Sequence, residues 1–272
     1  MLKIIYLNTW FGKVEKLFRE YVIENSVSTD IFCFSEVSDG EANLSFGGLE
    51  GLRPVGKEFE QLVGEGSSNS FSQLKTMLPG FEGKFDGSSY LKTEDGKIFP
   101  MGLAYFVKKG ITVEKAGVAD VNKGAADDPE EYERIIQFFC VNINGKKIWM
   151  NNFHGISHPG EKLDTKDRLS QSKNICKVLK NQPGLKILGG DFNLMPGTKS
   201  VKIIEESGLK NLITDYKIKS TRSALNHSQY PNRVKQYYAD FVFVSPEITV
   251  KSFEAPNLNI SDHLPLVLEI ET

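Results

Sequence analysis

Gly190-Asp-Phe-Asn193 closes an apolar run that starts at Ile187. If that run is a strand, alternate side chains share a face, and Asp191 and Asn193 stand together at its mouth. A carboxylate and an amide so placed can position a water or grip a phosphate. The same placement recurs along the chain. Asn8, Glu36 and His154 each follow an apolar run, Asp240 lies within one, and Asp262-His263 just precedes the last. Strand ends on one edge of a sheet can converge on a single site. Oxygen-rich side chains with few sulfurs suit a hard cation, Mg²⁺ or Mn²⁺, rather than zinc. A metal with amides and imidazoles around it is what phosphoryl chemistry needs: charge neutralisation, a positioned water and donors to the developing oxyanion.

Each residue taken alone also has a plainer explanation. Asn8 could cap a turn, and Glu36 could be a surface acid at a strand end. Asp240 among apolar neighbours is harder to set aside, because a buried carboxylate needs a partner. His154 and His158 lie four apart, as in a helical metal pair, but Gly155 and the preceding strand pattern argue for a loop, against a zinc pair. His227, in a polar stretch, is expected to be incidental. Arg222, Arg233 and Lys235 are candidates for phosphate contact, with ordinary solvated charge as the alternative.

The elements that must carry these groups are legible in the periodicity. Residues 3–7 and 30–35 suggest strands around a helix that runs from about 14 to 25, the opening of a layered α/β domain. Residues 38–70 are rich in Gly, Ser and Glu, and are expected to form a long excursion over the site mouth, with a short helix near 59–63. Residues 71–78 suggest a helix closed by Pro79-Gly80. Strands are expected over 101–107 and 112–118, then a solvated acidic loop over 120–133. Residues 134–143 and 147–153 should pair through Asn144-Gly145, a strong hairpin signal. A helix over 167–179, the strand at 186–189, a short helix near 201–204, a polar stretch over 215–235, and strands at 237–245, 250–254 and 266–270 complete the chain.

The bulk numbers agree with one domain over 1–272. The chain has 272 residues, 40% hydrophobic and 25% charged, with a net charge of −2, so nothing pulls it generally toward nucleic acid or anionic lipid. The three cysteines, with no CxxC, argue against a zinc cluster or a disulfide framework. The short apolar start lacks the length and cleavage site of a signal peptide, and no stretch is long enough to span a membrane. The expected setting is cytoplasmic, without membrane insertion, and the expected state is a monomer.

With these motifs in order, the sequence resembles the endonuclease/exonuclease/phosphatase superfamily, the DNase I-like proteins. The resemblance rests on Leu7-Asn-Thr-Trp10, Phe34-Ser-Glu-Val37, Asn152-Phe-His154, Gly190-Asp-Phe-Asn193, Tyr238-Ala-Asp-Phe-Val-Phe243 and Ser261-Asp-His-Leu-Pro265. Arg168 and Gln171 match a common Arg-x-x-Gln helix pattern. The resemblance implies an α/β (α+β) fold, a four-layer α/β/β/α sandwich of two facing mixed sheets flanked by helices. It implies metal ligation by Glu36 with Asn8 and Asp262, water activation by Asp191, and phosphate and transition-state contacts from Asn193 and His154. It pairs His263 with Asp240. It implies a Mg²⁺- or Mn²⁺-dependent phosphoric ester hydrolase acting on a phosphodiester, whether nucleic acid (DNA or RNA), small molecule or lipid. The alternatives are a phosphomonoesterase of the same fold and a non-catalytic binding protein that retains it. Two departures stand out: glycine follows His154 where leucine is common, and the 38–70 excursion is specific to this chain. No marker of abasic-site, inositide or sphingomyelin recognition is present.

Overall fold

The computed structural model describes residues 1–41, 55–92, 96–122, 134–229 and 236–272. Part of the 38–70 excursion, most of the acidic stretch before Arg134, and Arg233 and Lys235 lie outside the described residues. Among the described residues, twelve strands form two six-stranded sheets. The first sheet contains β1 (Leu2–Asn8), β2 (Ile31–Ser38), β3 (Phe81–Lys92), β4 (Ile98–Lys108), β11 (Val250–Glu254) and β12 (Leu266–Ile270), in the order β11-β12-β1-β2-β4-β3. The second contains β5 (Thr112–Asn122), β6 (Arg134–Ile143), β7 (Lys146–His154), β8 (Leu185–Asp191), β9 (Lys210–Asn211) and β10 (Asp240–Val244), in the order β5-β6-β7-β8-β10-β9.

Both sheets are mixed. β1 and β2 run parallel, as do β7 and β8, and the pairs on either side are antiparallel. Strands buried on both faces explain the near-continuous apolar runs at 3–7 and 31–34. Along β1, Ile4 and Tyr6 enter the core between the sheets, whereas Ile5 and Leu7 enter the outer core with Phe18, Val22, Phe71 and Leu74. Those four outer residues belong to α1 (Glu15–Ser26) and α2 (Ser70–Met77), the helical layer over the first sheet. On the far side, α3 (Lys166–Lys180) and α4 (Lys199–Glu206) cover the second sheet through Ile175, Leu179, Val201 and Ile204. The result is the expected α/β/β/α sandwich. Between its sheets, Tyr105 and Phe139 stack with ring centroids 3.9 Å apart. Asn152, buried among these apolar groups, reaches across the interface and donates to Phe34 O at 3.0 Å and to Ala104 O at 3.3 Å.

Several expectations need correction. Residues 81–92 form an edge strand, β3, that periodicity missed: Phe81 and Phe85 pack into the outer core, but Gly83 and Gly87 on that face and the charged residues around them break the alternation. The strand at 112 extends to Asn122, into the stretch expected to be loop. Short helices α5 (Leu212–Asp215) and α6 (Ala224–Gln229) occupy or border the supposed polar stretch. The short helix expected near 59–63 is a single 3₁₀ turn over Lys57–Phe59. Asp240 opens its strand instead of sitting at the centre. Among the described residues, no helix is long and apolar enough to cross a membrane.

Candidate active site

The eight polar residues of the motifs gather at one end of the sandwich, where the two sheets meet. Asn8 ends β1, and its amide Nδ2 donates to Glu36 Oε1 at 2.9 Å and to Asp191 Oδ2 at 3.1 Å. One side chain thus ties a carboxylate of the first sheet to one of the second. Its Oδ1 accepts from Trp10 N at 2.9 Å, which settles the direction of the amide. Glu36 is not at the end of β2 but at a bulge within it: the register shifts between Ser35 and Val37, and Glu36 has φ +53°. A bulge re-aims a side chain, and this non-glycine left-handed residue is the kind of local strain that collects at working sites.

β7, β8 and β10 bring three more groups to one level. His154 and Asp240 are both register partners of Asp191. Gly190 permits this closeness, with φ +129°, and a Cβ there would meet Phe153 O at 2.1 Å. Past the strand, Asn193 turns into a left-handed conformation at φ +53°, and its N–H donates to Asp191 Oδ1 at 2.8 Å. Asn193 therefore reaches the site through a turn, not as the next alternate residue of a continuing strand.

Asp191 is the hub. Its Oδ2 lies 3.6 Å from His154 Nε2 and 3.5 Å from His263 Nε2. Burial alone would raise its pKa, but the positive charges of His263, His154, Arg222 and Lys162 outweigh burial and hold it well below the usual carboxylate range. Glu36 is the opposite case. Burial, then the charges of Asp262 and Asp191, push its carboxyl up to about 7 against the hydrogen bond from Asn8. His154 is pushed down to about 3, by burial first and the Arg134 guanidinium second, so it is neutral at ordinary pH. Arg134 Nη1 faces its Nδ1 at 3.4 Å. Nδ1 is then the acceptor, and the ring proton sits on Nε2, facing Glu36 and Asp191. His263 presents Nδ1–H to Asp240, and its pKa is raised: burial and Arg222 oppose the shift, but Asp240, Asp262 and Asp191 prevail.

Asp262 is drawn aside from this hub. Its Oδ2 accepts from Arg222 Nη1 at 3.1 Å and from Asn226 Nδ2 at 3.4 Å. Two groups of ligating atoms lie within 4.8 Å of one another: Glu36, His154 and Asp191, and Asp191, Asp240 and His263. Asp262 is in neither, although its charge still acts on Glu36.

Sequence reasoning named Arg222 but missed the other two cations, Lys162 and Arg134. Arg222, only one of three candidates there, is buried, pairs with Asp262, contacts His263 Nε2 and bridges to His263 through the backbone. Thr221 fastens that segment by accepting from Ala239 N at 3.0 Å and Asp240 N at 3.1 Å. Lys162 contacts Asn193 Oδ1 from a loop that shows no pattern in sequence. Of the two missed cations, only Arg134, heading an apolar strand, left a detectable signal. His158 does not join His154 in either ligating group. His227 packs edge-on to Tyr237, with ring centroids 5.0 Å apart.

Two facing mixed sheets between helical layers are the DNase I-like fold seen in solved endonuclease/exonuclease/phosphatase proteins. Solved structures share it along nearly the whole chain. An endonuclease/exonuclease/phosphatase from Bacteroides vulgatus is 17% identical, with TM-score 0.67, covering 99% of this chain and 98% of its own. A mannosyl-6-phosphatase of Bacteroides thetaiotaomicron is 17% identical with TM-score 0.67 and full coverage of both chains, 100% and 100%. The human Nocturnin catalytic domain with bound sulfate is 16% identical, with TM-score 0.66, covering 99% of this chain and 93% of that one. Neither a family model nor a curated protein sequence matches this chain.

Proposed function

We propose that this protein is a divalent-metal-dependent phosphoesterase that hydrolyses a phosphodiester by in-line attack of an activated water. The observation that carries the reading is the surrounding of Asp191: a buried carboxylate kept ionised between two imidazole Nε2 atoms at 3.6 and 3.5 Å, with the Asn8 amide on its other contact. The donor set fits a hard cation. It is made of oxygens and imidazole nitrogen without sulfur, and the Glu36 pKa, raised first by burial and then by the charges of Asp262 and Asp191, marks a cost that a bound cation would offset. Glu36 would hold the ion with Asn8 and Asp262, and Asp191 and His154 lie within reach. A bound divalent ion supplies charge neutralisation on the phosphoryl oxygens.

The chain's own groups do the rest. Asp191, ionised, orients the water and takes its proton. His154 donates Nε2–H to a phosphoryl oxygen. Asn193 holds the phosphate and the transition state through its amide. His263, oriented by Asp240 through its Nδ1–H, stabilises the negative charge that develops. Reaction at phosphorus is then mainly positioning and electrostatics. A phosphomonoesterase is the second reading, favoured by the likeness in fold to the mannosyl-6-phosphatase.

Parallel assays of bis-p-nitrophenyl phosphate and p-nitrophenyl phosphate, with Mg²⁺ or Mn²⁺ and with EDTA, separate the readings. Turnover of the diester that EDTA abolishes and Asp191→Ala removes supports the proposal. Turnover of the monoester alone favours the second reading. No turnover of either across a metal panel favours a binding protein.

A further inference from the structure

Residues 155–165 form an irregular loop between β7 and α3, yet its backbone is fastened along its length. The Arg168 guanidinium, in the first turn of α3, donates to Leu163 O and Pro159 O at 2.6 Å each and to Ile156 O at 3.2 Å. From the other side, Met195 N donates to Lys162 O at 2.8 Å, and Gln236 Nε2 donates to Gly160 O at 2.7 Å. At the centre of this scaffold Lys162 adopts φ +59°, a conformation that costs a non-glycine residue energy.

The conformation turns the side chain inward. Lysine normally keeps its ammonium in water while its stem lies along the surface. Lys162 is instead only 9% exposed. Its ammonium contacts Asn193 Oδ1 and lies 3.4 Å from Ser157 O. Both partners are neutral oxygens, and neither offsets the charge as a carboxylate would. The positive charge of Arg222 also bears on Lys162: after burial, it is the next cause holding the Lys162 pKa down, to about 7. Arg222 is itself buried, beside His263. Two buried basic side chains thus meet the same cluster, Lys162 at Asn193 and Arg222 at His263, and make a pocket suited to an anionic group.

We propose that Lys162 is a further catalytic residue: with Arg222 it forms a two-cation clamp that takes a phosphoryl oxygen of the substrate at Asn193. The substrate assignment rests on the phosphoesterase reading. The anion-binding assignment does not, and inorganic phosphate tests it directly.

The experiment compares wild type with Lys162→Met, Lys162→Arg and, as a control for net charge, Lys166→Met on the exposed start of α3. Phosphate affinity is measured by calorimetry in the metal-loaded protein. Hydrolysis of bis-p-nitrophenyl phosphate is measured alongside, with kcat and KM resolved. Loss of one charge-assisted hydrogen bond predicts phosphate binding weakened about 10- to 100-fold in Lys162→Met, with partial recovery in Lys162→Arg and none of the effect in Lys166→Met. kcat/KM should fall by a similar factor, carried mostly by kcat. Lys162→Gln, which keeps a polar head for Asn193, replaces the methionine variant should that one fail to fold. Phosphate affinity within twofold of wild type in folded Lys162→Met or Lys162→Gln overturns the clamp. A wild type that hydrolyses nothing but binds phosphate through Lys162 upholds the clamp and rejects the phosphoesterase reading instead.

Discussion

His263 Nδ1 lies 2.9 Å from each carboxylate oxygen of Asp240. The ring is held symmetrically, its Nδ1–H is committed to the carboxylate, and Nε2 is turned to the site. In Asp240→Asn an amide replaces the carboxylate, so the ring loses both its orientation and the charge that supports its protonated form. Activity should fall about 10²- to 10⁴-fold, the usual range for a positioned acid–base group. The fold should survive, because an amide fills the same volume. kcat/KM for bis-p-nitrophenyl phosphate beside the circular dichroism spectrum checks both halves; a variant with near-normal rates rejects the role given to the pair.

Glu36 makes stability depend on pH in the metal-free protein. Its carboxyl rises from 4.5 to about 7 on folding. Between those values the folded chain binds the extra proton, so stability is highest below about pH 4.5 and is lost as the pH climbs through about 7. The size is on the order of 1–3 kcal/mol. Glu36→Gln should flatten this part of the profile and raise the melting temperature at pH 8. Urea titrations of both proteins at pH 5 and pH 8, with EDTA present, measure it.

Divalent cations should reverse the same penalty. Mg²⁺ or Mn²⁺ at about one hundred times Kd adds about 2.7 kcal/mol to a protein that binds only when folded. A rise in melting temperature with added ion, absent in Glu36→Gln, is the expected result. An unchanged melting temperature in the wild type across the metal series counts against the metal.

Gly190→Ala tests whether the approach of β7 to β8 sets the site. The added methyl would lie 2.1 Å from Phe153 O, at φ +129°. The strands must separate there, and His154 and Asp191 with them. A loss of more than about 2 kcal/mol of stability is expected, with hydrolysis reduced even at temperatures where the variant is fully folded. Differential scanning calorimetry paired with rate measurements shows whether both effects occur.

Arg134 and His154 give a prediction of the opposite kind. With its pKa near 3, His154 stays neutral over the working range, so it should leave no limb in the pH–rate profile. His154→Gln keeps a donor and should lower kcat without moving the acidic limb. A limb that moves with this substitution would show that the ring titrates during turnover.

The polar residues of the site were visible in the sequence because each sits beside an apolar run, where a lone carboxylate, amide or imidazole breaks the pattern. β11 and β12 match their sequence ranges, Val250–Glu254 and Leu266–Ile270. β3 was hidden because its core-facing aromatics, Phe81 and Phe85, are separated by Gly83 and surrounded by charged residues, so the alternation is too thin to read. Lys162 was hidden because the backbone that turns it inward is held by Arg168, Met195 and Gln236, each from another element. Burial of Arg222 has the same origin: it depends on Thr221 meeting Asp240, and on a backbone bridge to His263.

Composition and periodicity thus determined a layered α/β domain and the inventory of acids, amides and imidazoles, which follow from local preference and from which side chains avoid water; the sandwich itself was implied by the resemblance carried by the motif order. Tertiary structure alone decided the rest. It placed Glu36 on a bulge, joined the two sheets through Asn8 between Glu36 and Asp191, and drew Asp262 toward Arg222. It also closed the site with buried cations, since charge–charge distances are set by contacts between residues far apart in the chain.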